Sequence, residues 1–194
     1  MRQEASRFTI PGARLNLTDR FLDARLREGR GDHVALVVDG PDGVERWTYA
    51  EMSAEASRYA HALSQKGIGL EDRVLLLLPD GAPWAAAFFG ALKIGAVTLF
   101  VNPHVSEEEI AFYLEDSRAK AVFTDAERVA KLPSSAPVTF VVDDAEFKRH
   151  ITAFPSQMPA APTLAEDFAI WLYSSGSTGA PKAAVHRAGD FVYN

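Results

Sequence analysis

The sequence predicts an α/β fold, a layered and largely parallel sheet flanked by helices. Three observations carry this expectation. Arg73-Val74-Leu75-Leu76-Leu77-Leu78 holds five apolar residues in a row, the pattern of a strand buried on both faces. Short apolar runs of this kind alternate with stretches of helical spacing between residues 48 and 142. Two capping-box sequences, Thr48-Tyr49-Ala50-Glu51 and Ser106-Glu107-Glu108-Glu109, mark where two of the helices begin.

The elements follow in order. Pro11-Gly12 is a turn signal ending an extended arm. Phe21, Leu22 and Leu26 recur at helical spacing, and Gly29-Arg30-Gly31-Asp32 stops that run. Val34–Val38 and Val44–Thr48 read as two strands of a hairpin, joined by a turn over Asp39-Gly40-Pro41-Asp42-Gly43. In the helix opened by Thr48, Met52, Ala56, Tyr59 and Leu63 share one face, and Gly67 lies just past its end. After the strand at 73–78, a helix over 82–94 stops at Gly95, and 96–101 is the next strand. Ser106 opens a helix that buries Ile110, Tyr113 and Leu114. A strand over 121–124, a short helix over 125–131 and a strand over 138–142 complete the alternation. From 143 to 166 the periodicity fades, and Pro155, Pro159 and Pro162 predict an irregular surface connection. Phe168–Tyr173 is then a further strand.

Composition narrows the function classes. The chain has 194 residues, enough for a core of its own, with 20 Lys+Arg against 26 Asp+Glu and a formal net charge of −6. That balance argues against non-specific nucleic-acid binding, which needs a basic face. With no cysteine, disulfide scaffolds, thiolate zinc sites and cysteine nucleophiles are excluded, in keeping with a reducing cytoplasm. The most apolar stretch, Trp84 to Val101, is interrupted by Gly90, Lys93 and Gly95 and reads as helix, stop and buried strand, so no membrane insertion is expected.

One segment has chemical content: Ser174-Ser175-Gly176-Ser177-Thr178-Gly179-Ala180-Pro181-Lys182, directly after a buried strand. Gly176 and Gly179 allow sharp turns and close approach of backbone to a ligand. Successive amides in such a turn form a concave nest for phosphate oxygens. The hydroxyls of Ser174, Ser175, Ser177 and Thr178 add donors, Lys182 adds a point charge, and Pro181 stiffens the chain before it. The segment is neither a Walker A loop, which ends in Gly-Lys-Ser/Thr, nor a dinucleotide fingerprint. The other titratable residues offer less. His33, His61, His104 and His150 stand singly, without metal-ligand spacing. Glu107-Glu108-Glu109 suits a helix N-terminus, and Phe88-Phe89 suits a core.

Ser-Ser-Gly-Ser-Thr-Gly-x-Pro-Lys after a strand resembles the phosphate-loop signature of the adenylate-forming superfamily. The superfamily includes acyl-CoA synthetases, peptide-synthetase adenylation domains and luciferase-like enzymes. Thr48-Tyr49-x-Glu51, the strand at 74–78 and Phe88-Phe89-Gly90-Ala91-x-Lys93-Ile94-Gly95-Ala96-Val97 are similar to its N-terminal region. Asn16-Leu17, Phe21-Leu22-Asp23, Glu28-Gly29-Arg30-Gly31-Asp32 and Trp171-Leu172-Tyr173-Ser174-Ser175-Gly176 most resemble benzoate-CoA ligases and other aryl-CoA ligases.

The resemblance implies the incomplete N-terminal part of the adenylate-forming fold. Residues 1–165 would form one α/β subdomain, and 166–194 the strand and loop opening the next. It also implies ATP, Mg2+ and coenzyme A as cofactors or substrates. A carboxylic acid, aromatic by preference, would be activated as its adenylate and passed to coenzyme A. Ser174, Ser175, Gly176, Ser177, Thr178, Gly179 and Lys182 would bind the β- and γ-phosphates, with Lys182 also lending its charge to catalysis.

Two residues and one missing dipeptide qualify the resemblance. Ala183 stands where the family usually has Gly, so a Cβ is expected to crowd the loop. His186 is open between helix entry, packing and a part in capping the loop. No Thr-Glu dipeptide, the family's magnesium-binding element, occurs in the sequence. The chain alone is therefore expected to be inactive and, with sheet faces unpaired, to self-associate. Two alternatives stand beside this reading: an adenylation domain loading a carrier protein, and a short non-catalytic protein that binds nucleotide or pyrophosphate.

Overall fold

In a computed structural model, which describes residues 12–40, 43–174 and 181–192, a six-stranded sheet forms the centre of the molecule. The strands are β3 (Arg73–Leu77), β4 (Val97–Phe100), β5 (Ala121–Thr124), β6 (Val138–Val141), β7 (Phe168–Ser174) and β8 (Lys182–Arg187). Their order is β6-β5-β3-β4-β7-β8, parallel throughout except for β8, which runs antiparallel to β7. A separate hairpin joins β1 (Val34–Gly40) to β2 (Gly43–Thr48). Pro41 and Asp42 of its expected turn, and Pro11 of the arm, lie outside the described residues.

The apolar run at 73–78 is a strand because both of its faces are covered. Val74 and Leu76 turn toward α2 (Tyr49–Gln65) and α3 (Ala82–Lys93), in one cluster with Tyr59, Leu63, Ala86 and Phe123. Leu75 and Leu77 turn the other way, onto Ile110, Tyr113 and Leu114 of α4 (Glu107–Ser117). Leu75, Leu76 and Leu77 are fully buried, and burial of one such side chain contributes about 1.5–3 kcal/mol. Both capping boxes form: Thr48 Oγ1 accepts from the Glu51 amide and Ser106 Oγ from the Glu109 amide, with each glutamate accepting from its cap residue's amide. α2 and α3 approach closely at Gly90, where a Cβ would stand 2.8 Å from Tyr59 Cβ and 2.9 Å from the Ala56 carbonyl.

Three expectations about elements change. The first helix begins as a π-helical turn, Asp19–Asp23, before α1 (Ala24–Arg27). Of Phe21, Leu22 and Leu26 only Leu22 is buried, and the neighbouring Asp23 meets the buried Lys93. Over 125–131 only a 3-10 turn, Val129–Lys131, forms. The stretch expected to be irregular contains α5 (Ala145–Thr152): Asp144 accepts from the amides of Glu146 and Phe147, while Phe147 and Ile151, four residues apart, pack onto the core. The prolines at 155, 159 and 162 all follow it.

Candidate phosphate-binding site

The parallel strands end on one edge of the sheet. The β3-to-β4 connection runs through α3 on one face. The β4-to-β5 connection crosses back over β3 through α4 on the opposite face. In open α/β sheets the carboxyl ends of the strands beside such a reversal are the usual ligand position. β7 lies beside β4 and ends at Ser174 on this edge.

β7 and β8 together present the segment singled out from the sequence. Ser174 pairs with Lys182, Tyr173 with Ala183, Leu172 with Ala184 and Ile170 with His186. The segment is thus the connection of a β-hairpin whose two arms meet at Ser174 and Lys182. Lys182 is exposed and opens β8. Ser175, Gly176, Ser177, Thr178 and Gly179 lie outside the described residues.

β8 is an element that periodicity did not reveal. Lys182-Ala183-Ala184-Val185-His186-Arg187 has no apolar alternation, and its strand character comes from pairing with β7. Ala183 occupies an ordinary strand position, and the non-glycine residues with positive φ among those described are Glu71 and Arg118. The chain therefore asks for no glycine conformation at 183. His186 packs edge-on against Phe191 at 5.8 Å between ring centres, which is the packing role and not a helix entry.

The entry arm is braced from behind. The Tyr173 hydroxyl donates to Asp116 Oδ2 at 2.6 Å, and its ring lies 4.5 Å from that of Tyr113 and 6.4 Å from that of Phe112, all against α4. Burial, and after it the hydrogen bond to Asp116, pushes the Tyr173 phenol above its ordinary value.

The remaining titratable groups serve the fold. Lys93, almost wholly buried, donates to both carboxylate oxygens of Asp23 at 2.9 and 2.8 Å, and the Ser53 hydroxyl donates to Asp23 at 2.6 Å. His61 and His150 flank Phe154, and their Nε2 atoms lie 3.1 Å from the Gln157 carbonyl and 3.0 Å from Gln65 Oε1. Among the described residues, no three His, Asp or Glu side chains converge as a metal-ligand set. None of the described helices is long and apolar enough to cross a membrane.

The chain belongs to the AMP-binding enzyme family, which matches residues 23–194. It is 31% identical to 3-hydroxybenzoate–CoA ligase of Aromatoleum sp. (strain CIB), over 90% of this chain and 35% of that protein. It is 32% identical to benzoate–CoA ligase of Thauera aromatica, over 93% of this chain and 35% of that protein. The crystal structure of an anthranilate CoA ligase in complex with anthranoyl-AMP superposes with a TM-score of 0.80 at 29% identity, covering 94% of this chain and 36% of that one. The chain thus spans about a third of the length of the curated relatives it matches.

Proposed function

We propose that this chain carries the phosphate-binding part of an AMP-forming carboxylate–CoA ligase that favours aromatic acids such as benzoate. The observation that supports it most is the hairpin closed by Ser174 and Lys182 at the ligand edge of the sheet, bearing Ser-Ser-Gly-Ser-Thr-Gly-Ala-Pro-Lys. In this reading residues 1–165 are the first α/β subdomain and 166–194 open the next, although β7 and β8 already extend the shared sheet.

The reaction has two steps. A carboxylate oxygen attacks the α-phosphorus of ATP, the bond to the β-phosphate oxygen breaks, and pyrophosphate leaves. The coenzyme A thiol, losing its proton, then attacks the acyl carbon of the adenylate, and AMP leaves. The amides and hydroxyls of Ser174, Ser175, Gly176, Ser177, Thr178 and Gly179 hold the β- and γ-phosphates. Lys182 balances the charge that gathers on the departing pyrophosphate. Three or four hydrogen bonds to a charged group, each about 1.5–3 kcal/mol, suffice to hold it. Magnesium and coenzyme A belong to the family reaction, and no described residue is assigned to either. ATP and coenzyme A as substrates fit a cytoplasmic setting.

The test is ATP–pyrophosphate exchange with benzoate, hydroxybenzoates and anthranilate. The chain alone is expected to bind pyrophosphate weakly and to give no exchange, since its own residues include no assigned adenine, ribose or acyl contacts. A chain continued through the remaining length of its relatives is expected to give exchange that is fastest with the aromatic acids. Exchange by the chain alone, or an aliphatic preference in the longer protein, counts against this reading. Phe168, Leu172 and Val185 are exposed on β7 and β8, with β8 at the sheet edge, so the chain is also expected to self-associate. Sedimentation at rising concentration checks that.

A further inference from the structure

We infer that Tyr173 and Asp116 form a tether that positions the phosphate loop, pinning its entry arm to the last turn of α4 through the 2.6 Å hydrogen bond from the phenol to the carboxylate. The inference rests on the reading of residues 174–182 as the phosphate clasp. It makes Tyr173 a positioning residue, acting through the backbone of Ser174.

The ladder explains why such a tether is needed. β7 pairs with β4 only as far as Phe100–Leu172. Tyr173 and Ser174 extend past that last rung, and on the other side they pair with β8, which is itself the sheet edge. The two residues that launch the loop are therefore held by an edge strand and, through Tyr173, by α4. The bond joins the hydroxyl to a carboxyl oxygen at short range, and the Tyr113 ring lies beside the phenol. Ala183 pairs directly with Tyr173, so its methyl lies on the same face of the sheet as the ring. An anion nest works only when its amides converge, and a displacement of about 1 Å at its base is enough to spoil convergence.

The experiment compares Tyr173→Phe, Asp116→Ala, Asp116→Asn and the Tyr173→Phe/Asp116→Ala pair in the 194-residue chain. Calorimetry measures the affinity for inorganic pyrophosphate, and NMR measures amide exchange at Ser174 and Lys182 without ligand. Tyr173→Phe and Asp116→Ala are each expected to weaken pyrophosphate binding about fivefold and to speed exchange, the pair no more than either alone. Asp116→Asn, which keeps an acceptor oxygen, recovers most of both. Tyr113→Phe, in the same cluster but outside the bond, changes neither. Unchanged affinity in a folded Tyr173→Phe overturns the tether, even if exchange quickens, because the bond would then only brace the strand. A wild-type chain that binds no pyrophosphate counts against the phosphate reading instead. The positioning role then falls with that reading, and unchanged exchange rates overturn the bond's hold on the strand as well. If Tyr173→Phe does not fold, Asp116→Ala carries the same readings.

Discussion

Ser174 and Lys182 are direct partners on the last rung of the β7–β8 ladder. The loop between them is therefore a closed hairpin connection, and the Lys182 charge is delivered by a strand at a fixed register. Lys182 is exposed, so its removal is expected to leave the thermal midpoint nearly unchanged. Lys182→Ala is expected to weaken pyrophosphate binding by at least about tenfold, with the loss shrinking as salt rises. Titration calorimetry at two ionic strengths checks this, and equal affinity in variant and wild type sinks the anion role.

Asp23 ties the N-terminal π-helical turn to Lys93 at the end of α3. The Lys93 side chain is 2% exposed and that of Asp23 17%. Asp23→Ala strands a buried ammonium and is expected to cost about 3 kcal/mol. Replacing both residues together, as Asp23→Leu with Lys93→Met, is expected to recover most of that loss, since the cost lies in the unpaired charge. Urea denaturation of both variants and the wild type measures it. An Asp23→Ala protein as stable as wild type would refute the account.

Gly90 tests how tightly α2 and α3 are packed. An alanine there gains helix propensity of about 1 kcal/mol. Its Cβ meets two atoms of α2 at under 3 Å, one of them the Ala56 carbonyl oxygen, and neither is the far end of a flexible side chain. The steric cost is expected to win, giving a net loss of about 1–3 kcal/mol. Stabilisation by Gly90→Ala would mean the helices are free to part.

Legibility in the sequence followed the range of the interaction. β3 and the capping boxes at Thr48 and Ser106 are local patterns, and each was readable. α5 was not, because only Phe147 and Ile151 mark its inner face and the prolines that follow it dominate the stretch. β8 was invisible because its strand character is conferred by β7. Tyr173 and Asp116 are separated by 57 positions, and nothing in either local pattern announces their bond. That bond could be found only in the fold.

That brace has an alkaline signature. Burial first, then Asp116, holds the Tyr173 phenol above its ordinary value. A group whose folded pKa is raised contributes stability that is fully present below the unfolded value, about 10 for tyrosine, and lost as pH climbs through the folded one. Tyr59, raised by burial and by Glu55, adds to the same slope. Wild-type stability is therefore expected to fall from about pH 10 upward. Tyr173→Phe cannot ionise at 173, so it is expected to be less stable than wild type near neutrality, to decline more gently, and to close the gap in base, with Tyr59 and Tyr113, the latter raised by burial and by Glu109, supplying the residual slope. Urea midpoints from about pH 8 to about pH 11 read this directly. A gap that stays constant across the range would mean that the Tyr173 hydroxyl is no more protonated in the folded chain than in the unfolded one.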